Sequence, residues 1–231
     1  MLEVLENRDK ETVLAYLRRQ KEAGLLAHVV EVTTDMWAAY TEAAREVFGS
    51  GVRVVIDRFH VMKLFQEHLE KERRAIQRTL PDEAAAALKG LRWLWITNPE
   101  NLTADQREEL AEVKKLFPEL GRLHDLRESL RAIFNDRRIT TAATGANKLR
   151  DWIGSALKLG SKALSKFCQT LERWLEPIAN YFIGRASNGP TEGFNRGLRG
   201  ILWRACGMCN FQHFRLRVLD RFGRRQPQDS P

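Results

Sequence analysis

His28-Val29-Val30-Glu31-Val32-Thr33-Thr34-Asp35 and, further on, Val52-Arg53-Val54-Val55-Ile56-Asp57 are the two stretches that decide the fold. Both are runs of β-branched residues, and each closes on an aspartate. Such runs read as buried strands. Between them, Met36 to about Phe48 has helical spacing and stops at Gly49-Ser50-Gly51. Upstream, Leu2 to Leu5 reads as a short strand. Asp9 then caps a helix that runs to about Ala23, with Val13, Leu14 and Leu17 on its buried face and Gly24 as its stop. Strands alternating with helices of this length predict an α/β arrangement around a largely parallel sheet.

Beyond Phe59 the period changes. Met62, Phe65, Leu69, Ile76 and Leu80 mark a long helix, and Asp82–Lys89 a short one. Thr103 and Gln106 form a capping box ahead of Leu110, Val113 and Leu116. Pro118 starts another helix, and Leu149, Trp152, Ile153 and Ala156 continue the pattern. Leu164, Phe167, Leu171, Trp174, Leu175 and Ile178 are the most strongly periodic set, with a kink expected at Pro177. The expected organisation is α/β with a large all-α insertion: a core part over 1–79, a helical insertion over 80–183, a return to the core over 184–223, and a disordered tail over 224–231.

The chain of 231 residues carries a net charge of +8, which makes a polyanion a sensible partner. The charge is uneven. From Gly184 to Arg225 there are nine arginines (185, 196, 199, 204, 215, 217, 221, 224, 225), no lysine, and only Glu192 and Asp220 as acids. Guanidinium forks suit bidentate phosphate contact, although a basic surface also serves solubility. No apolar run is long enough to span a bilayer. The first residues lack the pattern of a signal peptide, and three cysteines fit a reducing compartment. The expected location is cytoplasmic, with no membrane partner.

Ser187-Asn188-Gly189-Pro190-Thr191-Glu192-Gly193-Phe194-Asn195-Arg196-Gly197-Leu198-Arg199 reads as a turn entering a helix. At helical spacing Glu192, Asn195, Arg196 and Arg199 share one face, and Phe194, Leu198 and Ile201 another. One carboxylate, one amide and two guanidiniums on a common face can hold a metal beside a phosphodiester. An ordinary amphipathic surface helix has the same pattern. Asp35 and Asp57 sit at the carboxyl ends of strands, where ligand groups of open α/β sheets gather. Two such acids and a distant helical glutamate suit Mg²⁺, which takes few carboxylates and bridges to phosphate oxygens. The competing reading is that an aspartate after a strand simply caps the next helix. His60, three residues after Asp57, is open to a similar reading as a helix N-terminal histidine bonded to that aspartate. Cys206-Gly207-Met208-Cys209 lacks a second pair for structural zinc, Cys168 and His213 being the remaining donors, and reads better as a turn. Trp93 and Trp95 suit core packing or stacking on an unpaired base.

Together, Val32 to Tyr40, Asp57-Arg58-Phe59-His60-Val61, Asn188 to Asn195, and Arg204-Ala205-Cys206-Gly207 through Asn210-Phe211 and Phe214-Arg215 resemble the ISL3 family of bacterial insertion-sequence transposases. The blocks agree in order and spacing over nearly the whole chain, from residue 2 to about 222. The resemblance implies a ribonuclease-H-like core with a DDE metal triad, interrupted by an all-α insertion before the glutamate. It makes Asp35 the second acid and Glu192 the third, both metal ligands for Mg²⁺ (or Mn²⁺). It gives Asp57 and His60 an accessory acid-x-x-His motif. Arg196, Arg199 and Arg204, with Asn195, surround Glu192 and are the expected DNA contacts. The first acid should lie on the first strand of the core, and neither Glu3 nor Glu6 matches it. The expectation is therefore the C-terminal part of a transposase, an incomplete core without its first two strands. Its DNA partners would be transposon ends and target, with a homo-oligomer or a full-length transposase as protein partner. The rival expectations are an inactive remnant or DNA-binding inhibitor of a full-length transposase, and a different ribonuclease-H-like nuclease such as a resolvase.

Overall fold

A computed structural model describes residues 3–205 and 210–223. The chain divides into two compact units, residues 1–55 with 186–231, and residues 56–185.

The first unit begins with α1 (Lys10–Glu22), β1 (Glu31–Thr34), α2 (Ala38–Phe48) and β2 (Arg53–Ile56). Asp9 caps α1 through its carboxylate, which accepts from the Thr12 N–H at 2.8 Å, and Gly24 beyond the helix takes φ +75°. That left-handed conformation costs glycine little and most other residues more. β1 and β2 pair in a parallel two-stranded sheet, with α2 as the crossover. Leu14 of α1 packs on Ala43 and Val47 of α2, and Ala44, Val52 and Val54 form an adjoining cluster. Phe48 edges both clusters, so the helix pair and the sheet share one apolar seam.

Two local expectations change. Residues 3–5 form no strand; Glu3 instead turns its own carboxylate onto the Val4 N–H at 2.8 Å. β1 starts at Glu31 rather than His28, because pairing to the neighbour begins only where the Arg53 N–H reaches the Val30 carbonyl at 3.0 Å. The residues just before it are still turning out of α1.

The second unit is helical throughout. It runs α3 (Arg58–Gln77), α4 (Asp82–Gly90), α5 (Arg92–Ile96), a 3-10 turn at Pro99–Asn101, α6 (Ala104–Leu116), α7 (Pro118–Asn135), α8 (Ala142–Leu157), α9 (Lys162–Arg173), α10 (Leu175–Ala179) and α11 (Tyr181–Gly184). The capping box at Thr103 and Gln106 is formed in both directions. The centre is aromatic: Phe65 of α3, Trp152 of α8 and Phe167 of α9 meet edge to face, with centroids 5.1–5.8 Å apart. Each such pair contributes roughly 0.5–1.5 kcal/mol beyond its buried area. The Trp152 indole N–H is satisfied by the Leu126 carbonyl and the Ser129 hydroxyl, both at 3.0 Å. A second aromatic cluster stacks Phe134 of α7 on Phe182 of α11 at 5.6 Å. Gly145 on α8 makes room for it, since a Cβ there would lie 2.1 Å from the Phe182 ring.

The chain breaks at Trp174, one turn before Pro177, rather than kinking through it. Proline has no N–H to give the carbonyl four residues earlier, and its ring crowds that carbonyl. Arg185 ends α11 in the left-handed region with φ 53°. Its guanidinium reaches the carbonyls of Phe134, Asp136 and Ile139 at 2.8, 2.6 and 3.1 Å. One of the nine arginines counted above is therefore occupied in closing the end of α7.

The chain then returns to the first unit through α12 (Gly189–Arg204) and α13 (Phe211–Phe222). Phe194 meets Phe222 edge to face at 5.7 Å. Gly197 faces the same ring, where a Cβ would come within 2.3 Å. The Asn210 side chain caps α13 at the His213 N–H. No helix among the described residues is long and apolar enough to cross a membrane. Residues 206–209 and 224–231, which carry the C-x-x-C and the expected tail, lie outside the described residues.

Candidate functional site

Asp35 leaves the end of β1 in a half-buried position. The residues after it turn, with the Trp37 N–H on the Asp35 carbonyl at 2.8 Å. That turn delays α2 to Ala38, with Trp37 in the cap position and no side-chain cap bond. The Asp35 carboxylate is therefore not spent on capping. Its close polar neighbour is the Thr34 hydroxyl at 3.4 Å. Tyr40 is near enough to feel it: burial, and then the Asp35 charge, push the phenol above its ordinary pKa.

Asp57 behaves differently. It is 4% exposed, and its carboxylate accepts from the Phe59 N–H at 2.9 Å as the N-cap of α3. Replacing Asp57 with alanine should destabilise the helical unit by about 1–2 kcal/mol, the usual cost of a lost cap. Thermal unfolding of D57A against the parent reads this directly, and an unchanged midpoint would show that the cap is dispensable. His60 is half-buried and stands edge-on to Phe59 at 6.0 Å. Phe59 itself is half exposed and opens onto a groove of about 730 Å³ with Arg58, Lys63, Ile96 and Arg131 on its walls. Two of its cations are already engaged, Arg58 with Asn135 and Arg131 with Glu100 and Glu128.

Glu192 lies in the first turn of α12, where the free N–H groups of a helix start favour a carboxylate. Its own N–H is held by the Asn188 carbonyl at 2.9 Å. Glu192, Asn195, Arg196 and Arg199 are all exposed, while Phe194, Leu198 and Ile201 are turned inward. The two faces expected from the spacing are thus the two faces observed. Arg204, at the end of the helix, is exposed as well. Among the described residues no carboxylate pairs with Arg196, Arg199, Arg204 or Arg217. Of these, Arg196 and Arg199 share one face of α12 with the Glu192 carboxylate and present unpaired guanidiniums to solvent.

Arg215 on α13 is the exception in this region. Glu3 grips it with both oxygens, at 2.8 and 2.5 Å. Burial works to raise the Glu3 pKa, but the Arg215 bonds and the Val4 N–H outweigh it and hold the carboxyl below its ordinary value. Glu3 is thus a structural acid, consistent with its failing to match the first acid of a triad. Asp35 and Glu192 belong to the first unit, whereas Asp57 and His60 fall in the second. No group of three or more His, Cys, Asp and Glu side chains able to hold a metal ion is gathered among the described residues. A DDE metal pair needs three acids, so this donor set does not complete such a site.

The sequence model of the ISL3-type DDE transposases, described as a transposase, matches residues 1–218. The chain belongs to this family. It is 28% identical over 214 residues to the transposase for insertion sequence element IS1001 of Bordetella parapertussis, covering 91% of this chain and 52% of that protein. It is 30% identical over 166 residues to the transposase for insertion sequence element IS1557 of Mycobacterium tuberculosis, covering 62% of this chain and 36% of that one. The chain therefore spans about half the length, or less, of the curated relatives it matches. No solved structure matches it.

Two further residues gain meaning from the structure. Trp95 is fully buried against His124, which favours core packing for it, while Trp93 is 41% exposed. Trp203 on α12 is 83% exposed; composition does not single it out, although its offset of eleven residues from Glu192 is a signal in the sequence. Cys168 is buried, and burial pushes its thiol up to about 11, which makes it a packing residue rather than a nucleophile.

Proposed function

We propose that this chain takes part in DNA transposition as a member of a DDE transposase, with α12 lying against a DNA strand and Glu192 directed at the phosphodiester. The observation that carries this is the outward face of α12, where Glu192 and Asn195 share the surface with Arg196 and Arg199, neither of which has an ion-pair partner among the described residues. Cations placed on one face neutralise phosphates and fix the register of a strand, and a carboxylate among them would act on that backbone only by holding a divalent metal. Asp35, which is free of capping duty, is the second acid of the proposed site. The parallel β1–α2–β2 unit supports a ribonuclease-H-like core as its setting. Family resemblance supplies the reaction: hydrolysis at a transposon end releases a 3′-hydroxyl, which then attacks a target phosphodiester and expels the target strand's 3′-oxygen. Within that reaction, this chain's own residues bind the strand, hold its phosphates and present two carboxylates.

A specific observation favours a second reading, in which the chain binds DNA without cutting it: no group of three or more metal-ligating side chains is gathered among the described residues. One pair of measurements separates the two. Binding to duplex DNA should weaken steeply with salt, and R196A or R199A should each lower the slope of log affinity against log salt by about 1. An unchanged slope in the double variant would remove α12 from the interface. Any cleavage of duplexes carrying the insertion-sequence ends by the parent chain, in Mg²⁺ or Mn²⁺, should be lost in D35N and in E192Q while binding persists. Binding without cleavage by the parent chain supports the second reading. Cleavage of branched DNA lacking those ends would instead mark a resolvase.

A further inference from the structure

Trp203 is a large apolar side chain on a helix face that is otherwise polar. It is 83% exposed, and Leu202 beside it is 46% exposed, whereas Phe194 on the opposite face packs on Phe222. Single exposed apolar residues are common and need no explanation by themselves. The register supplies one here. Eleven residues at ~100° and ~1.5 Å each bring Trp203 back to within ~20° of the Glu192 line, ~16 Å further along the axis. The line reads Glu192, Arg196, Arg199, Trp203, with Arg204 adjoining its end and no carboxylate paired with any of these guanidiniums among the described residues.

Charge selects the occupant. A second copy of the same face would set arginines against arginines, because a two-fold contact repeats each patch on both sides. A nucleic-acid strand complements both features, offering phosphates to the guanidiniums and a π-face to the indole. We propose that Trp203 stacks on an unpaired base of a DNA strand whose phosphates run along Arg196 and Arg199. At the duplex rise of ~3.4 Å per nucleotide, and more where the strand is opened, ~16 Å places the stacked base within about five nucleotides of the phosphate opposite Glu192. This inference rests on the DNA-binding reading above and adds to it the state of the substrate: a strand that is single, or opened, near the reacting bond.

The test titrates the whole chain, W203A and W203F against an oligothymidylate of about 20 nucleotides carrying one 2-aminopurine, reading anisotropy for affinity and the quench for stacking. W203A should bind about tenfold more weakly and lose the quench, at an unchanged salt slope, since no phosphate contact is removed. W203F should recover most of both. R199A should do the reverse, lowering the salt slope while keeping the quench. An exposed position leaves the fold intact, and matching circular dichroism spectra confirm that. Equal affinity and quench for W203A and the parent overturn the stacking role and leave the arginine contacts standing. Failure of the parent to bind any DNA overturns both readings. A change in sedimentation for W203A at unchanged DNA affinity overturns the proposal in favour of a contact between copies.

Discussion

Replacing Gly145 with alanine should destabilise the helical unit by about 2–3 kcal/mol, while the same change at Gly154, in the same helix, should stabilise it by up to about 1 kcal/mol. Helix propensity favours alanine equally at the two sites, so the opposite signs come from packing alone. A Cβ at Gly145 would sit 2.1 Å from Cδ2 and 2.7 Å from Cε2 of Phe182, whereas nothing lies within 4 Å of a Cβ at Gly154. Phe182 cannot retreat cheaply, because it is 1% exposed and stacked on Phe134 with ring planes only 4° apart. Urea unfolding of both variants, followed by helical circular dichroism, reads the two signs. A neutral or stabilising G145A would mean that the Phe134–Phe182 stack relaxes without cost.

The second large effect is expected from pH. His124 is 2% exposed, and neither ring nitrogen has a hydrogen-bond partner among the described residues. Burial lowers its pKa to about 4, assisted by Lys114 and Arg127; Asp125, with Oδ1 3.9 Å from Nδ1 but itself well exposed, opposes weakly. The folded state therefore prefers the neutral ring, and the unfolded state takes up the proton first. The resulting stability is fully present above the ordinary histidine value of 6.5, and falls as pH drops from there to about 4. Across that window the loss amounts to about 3 kcal/mol. H124F keeps a ring against Trp95 and removes the titration. The difference between H124F and the parent should grow in favour of the variant below about pH 6. Parallel stability curves from pH 7 to 4 would show that His124 does not set the acid sensitivity.

Much of the α/β opening is legible because its signals are local. Asp9 needs only the next three residues to cap α1, and the Val52–Ile56 run with glycines before it specifies β2. The capping box at Thr103 is equally self-contained. What depends on distant partners is harder to read. The apolar pattern of Leu2 to Leu5 suits a strand, but Glu3 is taken by Arg215, more than two hundred positions away. The periodicity through Leu164 and Ile178 shows a continuous apolar face, and a face looks the same whether the helix kinks at Pro177 or breaks at Trp174. Charge composition enrols Arg185 among phosphate-binding groups, although three carbonyls brought together by the tertiary fold claim it. The candidate site divides in the same way. The two faces of α12 follow from spacing and are observed, and Asp57 is a helix cap, as one of its two readings held. The release of Asp35 from capping follows from a turn at Trp37 that no propensity announces.

The helix that bears Glu192 also differs in kind from those that make the core. α12 is the described α-helix that buries no side chain, whereas α8 encloses Leu149, Trp152 and Ala156. Opening free energies within a protein follow such burial, from the global value in the core down to almost nothing at thinly packed elements. α12 thus stands low on that ladder, held by Phe194 and Gly197 against one aromatic ring. A strand bound there, as proposed, would bear the entropy of holding it still, so part of the intrinsic contact energy along the arginine line would go into ordering the helix rather than into affinity.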